Sequence, residues 1–202
     1  MVTVTTFLEP ANTQNLLFSK FVFMWVPTLL SMNPPGGVPT GCVFSAMMMA
    51  ITIGGMLYPP LQSFFSKFVV SKQKAPELCA SFVYAMAAAC MAIPATYLSS
   101  GSDLYFGRIV ASFLVVECCV GLFMPLAGTL RSKYVPDALQ GAILNIFRLP
   151  LNAVVVSGTY ATDVMDASIV FKLVSACFFG AALLQASMIS SQAQLVDTKK
   201  KD

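Results

Sequence analysis

Glu117 and Arg148 are ionisable residues set deep in long apolar stretches of the chain, where a charge has no water to hold it. Asn145, Arg148 and Asn152 are spaced three and four apart, so on a helix they form one polar stripe. An arginine offers a planar fork of donors suited to an oxyanion, and two amides on the same face add orienting hydrogen bonds. Glu117, Gly121 and Pro125 are four apart and likewise share a face. The glycine allows a second helix to approach closely, and the proline permits a bend that neighbours re-satisfy. Two readings stand side by side. Glu117 and Arg148 are a structural pair that locks two neighbouring helices, or Arg148 faces an aqueous cavity and binds an anion while Glu117 sets its orientation. Lys20, Arg108 and Lys172 lie within two turns of their helix starts, and their expected behaviour is to snorkel outward.

Other chemistry has little to build on. The chain contains no histidine, which removes the commonest general base and metal ligand together. The six cysteines, Cys42, Cys79, Cys90, Cys118, Cys119 and Cys177, all stand in apolar stretches with no CxxC pair. They read as small buried hydrophobes, so disulfides, metal sites and cofactors are not expected. No paired carboxylates or nucleophile motif point to an enzyme, and nothing points to nucleic acid.

The elements that must hold these residues are membrane helices. Of 202 residues, 57% are hydrophobic and 10% charged, with mean hydropathy +0.76. A soluble domain carries roughly 25% charged residues, so the solvent for this chain is lipid. Six apolar segments are expected, at 14–32, 39–59, 77–98, 104–127, 138–160 and 166–189. The breaks between them carry turn chemistry, such as Asn33-Pro34-Pro35-Gly36-Gly37 and Ser99-Ser100-Gly101-Ser102-Asp103. The N-terminus lacks a basic n-region, and the first segment is read as a retained span rather than a signal peptide. Met47-Met48-Met49 and Gly54-Gly55 in the second segment read as packing and close contact. Trp25 is expected to be an interfacial or packing residue.

Charge fixes the number of spans. Lys67, Lys72 and Lys74 fall after the second segment, Arg131 and Lys133 after the fourth, and Lys199, Lys200 and Lys201 at the chain end. Only six spans gather these on one face, which places both termini in the cytoplasm by the positive-inside rule. In that frame Glu117 and Arg148 lie at similar depth, roughly 16–21 Å from the basic face. The expected organisation is an all-α, multi-pass membrane protein. It has a tail at 1–13, a six-helix bundle at 14–189 and a basic cytoplasmic tail at 190–202, with the plasma membrane as its location.

Three stretches also carry a family resemblance. They are Phe21-Val22-Phe23-Met24-Trp25-Val26-Pro27, the run from Glu117 to Pro125 followed by Leu130-Arg131-Ser132-Lys133-Tyr134-Val135-Pro136, and Ile143 to Asn152. Together they resemble the C-terminal half of the molybdate-anion transporter family, a branch of the major facilitator superfamily. A superfamily-like Gly55-Met56-Leu57 is present as well, with Pro59 where the signature acid stands. The resemblance implies a twelve-helix fold of which this chain supplies six helices. It also implies uptake of molybdate by alternating access, and an oxyanion substrate fits the physical reading of Arg148, Asn145, Asn152 and Glu117 as its binding residues. The implied partners are the lipid bilayer and either an N-terminal six-helix half or a second copy. The competing expectation is a non-transporting membrane scaffold or regulatory subunit derived from a truncated transporter.

Overall fold

The computed structural model describes residues 24–32, 34, 36–68, 74–98, 105–136, 138–139, 141–142, 152, 156, 160 and 165–199. Helix α1 covers 24–31, α2 Thr40–Phe68, α3 Ala75–Tyr97, α4 Phe106–Tyr134 and α5 Ala167–Lys199. By length and apolar composition, α2, α3, α4 and the Ala167–Ser187 part of α5 can each cross a bilayer. The chain is thus an all-helical integral membrane protein with four candidate spans among the described residues. Of the first expected span, residues 24–32 are described, helical to 31 with a turn at Met32. Of the fifth, only residues 138, 139, 141, 142, 152, 156 and 160 are described, and all are helical.

The turn between α1 and α2 follows from its glycines. Gly36 and Gly37 hold φ of +95° and +77°, a left-handed conformation that costs glycine little. The Gly37 N–H donates to the Pro34 carbonyl at 3.0 Å, closing the turn.

Three helices run further than the sequence leads one to expect. The second expected segment ends at Pro59, yet α2 continues through Pro59 and Pro60 to Phe68. A proline inside a helix removes one backbone bond, but neighbouring helices can hold the geometry. Here the Tyr58 hydroxyl, in the turn before, donates to Thr129 Oγ1 on α4 at 2.8 Å. Helix α4 likewise passes 127 and takes Arg131 and Lys133 into its last turn. Both are good helix formers, and cations there oppose the negative end of the helix dipole. Residues 190–199, read as a tail, continue α5 as helix.

Contacts between side chains fix the topology. Helices α3 and α4 run antiparallel: Glu77 meets Lys133 and Tyr134 at one end, Tyr84 meets Phe123 midway, and Tyr97 stacks on Tyr105 at the other end. Helices α2 and α4 run parallel, with Gly54 beside Cys118 and Leu122 and Tyr58 bonded to Thr129 further along. Lys67, Lys74, Arg131 and Lys133 therefore lie at one end of the bundle, the end at which α5 also finishes. The core sits on α3 and α4, where Val83, Tyr84, Met91, Ile109, Phe113 and Leu126 are nearly inaccessible. Helix α2 shows the opposite character, with Phe44, Met49, Ile53 and Met56 exposed. Of the methionine triplet only Met47 packs; Met48 and Met49 are exposed. A helix buries one face, and consecutive positions cannot all share it. The cysteine reading needs the same correction, since Cys79 and Cys119 are buried but Cys42 is exposed.

Helices α3 and α5 are joined by a ladder of serines. Ser81 Oγ donates to the Ala182 carbonyl at 3.1 Å, Ser175 Oγ to Ala88 at 2.8 Å and Ser168 Oγ to Ala95 at 2.8 Å. Each step advances seven residues on one helix and retreats seven on the other. Small residues on both sides bring the backbones close enough for a hydroxyl to reach across. Interhelical bonds of this kind in a membrane average about 0.6 kcal/mol each. Ser175→Ala is therefore expected to lower stability by about 0.6 kcal/mol, while Ser175→Leu, which must wedge the helices apart, costs several times more. Thermal unfolding of the purified chain in detergent reads the difference.

Candidate functional site

The face of α4 that carries Glu117, Gly121 and Pro125 is the face closed by α2. Gly121 makes the approach possible. A Cβ built there would overlap the Ile51 carbonyl oxygen and come within 2.9 Å of the Gly55 nitrogen. On the other helix, a Cβ at Gly54 would overlap the Cys118 carbonyl oxygen and reach 3.0 Å from the Leu122 nitrogen. The close contact expected of Gly54-Gly55 and of Gly121 is present, and each answers the other across the same crossing. Thr129 extends the contact, accepting from Tyr58 and donating to the Pro125 carbonyl at 3.1 Å.

Glu117 lies one turn before Gly121 and is 4% exposed. Among the described residues, no cation lies within ion-pair distance of it. A buried carboxylate is costly, and it is retained where a partner or a cavity answers it. Asn152 is helical and exposed. Asn145 and Arg148 fall outside the described residues, as does Lys20. Trp25 is buried and stacks on Phe44 of α2, with ring centroids 6.4 Å apart, so the packing role is the one seen.

A second charged cluster was not legible in the sequence. Glu77, in the first turn of α3, is 2% exposed. Its Oε1 accepts from both Lys133 Nζ and the Tyr134 hydroxyl, while its Oε2 is buried with no hydrogen-bond partner. Glu77 and Lys133 stand 56 residues apart, and in the sequence Lys133 is only one of the cations that mark the basic face. The one available signal was an acid directly after Pro76, where a helix begins. At the opposite end, the Arg108 guanidinium lies over the rings of Tyr97 and Tyr105, at 5.9 and 5.5 Å from their centroids. Arg108 is thus held by aromatic faces as well as by access to the surface.

What this arrangement offers is a buried carboxylate at a tight helix crossing, on a bundle whose cations are sorted to its ends. No family model matches the chain, and no solved structure matches it significantly. Among curated proteins, it is similar to the molybdate-anion transporter of Xenopus tropicalis, 31% identical over 132 residues, which are 65% of this chain and 27% of that protein. The molybdate-anion transporter of Danio rerio is 30% identical over 141 residues, 70% of this chain and 27% of that protein. That of Takifugu rubripes is 29% identical over the same length and shares. These relatives are transporters by name and not enzymes, and the matched part of the chain spans about a quarter of their length.

Proposed function

We propose that this chain is part of a transporter that carries a small oxyanion, molybdate foremost, across a membrane. The observation that carries the reading is Glu117: a carboxylate almost wholly buried in a bilayer-spanning helix, in a chain whose relatives are named molybdate-anion transporters. In this reading Arg148, with Asn145 and Asn152 on its stripe, binds the oxyanion by its planar fork, and Glu117 sets its orientation. The chain supplies the C-terminal six helices of a major facilitator fold, and a further six-helix half or a second copy completes it. Transport proceeds by alternating access around a midplane site. The exposed apolar face of α2 supports a partner there, since it is the least buried of the candidate spans. The gathering of Lys67, Lys74, Arg131 and Lys133 at one end supports cytoplasmic termini. The plasma membrane is the membrane we propose.

The test is molybdate uptake in cells expressing this chain alone, beside a longer polypeptide that supplies six further spans ahead of Met1. Uptake is expected with the longer form. In that form Arg148→Ala is expected to reduce uptake about 10- to 150-fold, the worth of a charge-assisted contact, with the protein still at the membrane. Normal uptake by the variant removes Arg148 from the site. Uptake by neither form, with both at the membrane, favours the scaffold reading.

A further inference from the structure

Two grooves flank the same stretch of α3, and each is lined by one cation. The larger, about 530 Å³, runs between α3 and α5 and is lined by Ala85, Ala89, Ala92, Thr96, Lys172 and Phe179. The smaller, about 350 Å³, runs between α3 and α4 and is lined by Cys90, Ile93, Tyr97, Arg108, Ala111 and Val115. Positions 85, 89, 92 and 96 form one face of α3, and 90, 93 and 97 an adjacent one. From Ala85 to Thr96 the larger groove follows the helix for about 16 Å, about half of a roughly 30 Å hydrocarbon core and so the depth of one leaflet.

The polarity of each groove is graded along its length. Lys172 enters five residues after α5 begins, and side chains on a helix lean toward its N-terminus. Its ammonium is thereby carried toward the end where Tyr97 stacks on Tyr105 at 4.3 Å. Arg108 is held over those same rings. Away from that end the lining is alanine, isoleucine, valine and phenylalanine with Cys90, Ser112 and Ser175, and both serine hydroxyls are bonded to backbone carbonyls. Among the described residues, no ion pair joins either cation to a carboxylate, Asp166 at that end included. A ligand suited to both grooves has an anionic group at one end and a hydrocarbon chain as long as a leaflet is deep.

We infer that these grooves hold the acyl chains of phospholipid from the leaflet at the Tyr97–Tyr105 end, with the phosphate held by Lys172 and Arg108. The bilayer is the solvent of this surface, so the occupant is at hand, and the charge complementarity sets its orientation. Tyrosines at that level suit the interface, where an apolar ring carries a polar tip. The inference stands apart from the transport proposal, since it concerns the two grooves beside α3 and needs no substrate.

The experiment is native mass spectrometry of the full chain, purified in mild detergent and titrated with phosphatidylglycerol. Retained lipid is expected on the unaltered chain. Lys172→Gln and Arg108→Gln are each expected to weaken retention about fivefold, following roughly 1 kcal/mol per cation near a lipid phosphate, and Lys172→Arg is expected to preserve it. Ala89→Leu, which fills the exposed floor of the larger groove without touching a charge, is expected to reduce retention as well. It decides the matter if the charge variants do not fold. Retention unchanged in Ala89→Leu and in the double charge variant overturns the inference. So does displacement of the lipid by millimolar molybdate, which would assign the two cations to a free oxyanion instead. Because the readout is lipid retention, its failure leaves the uptake result untouched, and the reverse holds too.

Discussion

Gly121→Leu is expected to abolish the folded bundle, and Gly121→Ala to destabilise it by about 1–3 kcal/mol, the usual cost of overpacking. The reason is that the obstacle is backbone. The atoms a new Cβ meets are the Ile51 carbonyl and the Gly55 nitrogen, and neither can rotate aside as a side chain would. The two helices must separate along their whole crossing, which also strains the Tyr58–Thr129 hydrogen bond. Gly54→Ala is expected to behave alike, since its obstacle is the Cys118 carbonyl on the facing helix. The control is Gly128→Ala on the same α4, where a Cβ meets nothing within 4 Å. There alanine is expected to be neutral or to stabilise by up to about 1 kcal/mol through helix propensity. The chain has a single tryptophan, Trp25, buried against Phe44 of α2. Its emission during thermal unfolding in detergent reports all four variants. Equal stability of the Gly121→Ala and Gly128→Ala proteins would show that the crossing is looser than it stands here.

Lys133→Ala is expected to cost more than Glu77→Ala, although the two delete the same ion pair. The side chain of Lys133 is 28% exposed and that of Glu77 3%. Removing Glu77 releases a lysine that can reach water. Removing Lys133 strands a buried carboxylate whose Oε2 already lacks a hydrogen bond and whose Oε1 keeps only Tyr134. Breaking a buried pair from that side costs about 3–5 kcal/mol. The double substitution Glu77→Ala with Lys133→Ala is expected to recover much of the loss, because no charge is then left behind. Unfolding midpoints of the three variants, compared as a double-mutant cycle, measure the coupling. A Glu77→Ala protein less stable than Lys133→Ala would contradict this account.

Parts of this architecture are written locally and parts are not. Gly54, Gly55 and Gly121 point to a helix contact because small residues let helices approach, and the two helices do meet there, whereas Gly128 on the same α4 meets nothing. Where the spans end is harder to read. Arg131 and Lys133 look like a loop to a hydropathy argument, since a cation leaves the bilayer wherever it can. The helix nonetheless carries both as its final turn, because leaving the bilayer does not require leaving the helix. The two prolines of α2 mislead for a related reason: tertiary contact outweighs the loss of individual backbone bonds. Glu77 was out of reach altogether. Its partners become neighbours only when α3 and α4 pair antiparallel, and that pairing is not marked by any motif. In the candidate site, Glu117 stands out by type alone, as the one acid inside the fourth apolar segment. What surrounds it depends on which helix α4 packs against.

The serine ladder bears on motion as well as on stability. Its three hydroxyls meet their carbonyls at intervals of seven residues on both helices. A slide of α3 past α5 by one turn therefore misaligns every rung at once, and the next matching position lies about 10 Å away. Such spacing acts as a detent. Any rearrangement this protein undergoes is expected to carry the two helices as one beam, with the bending left to the prolines of α2 and α4.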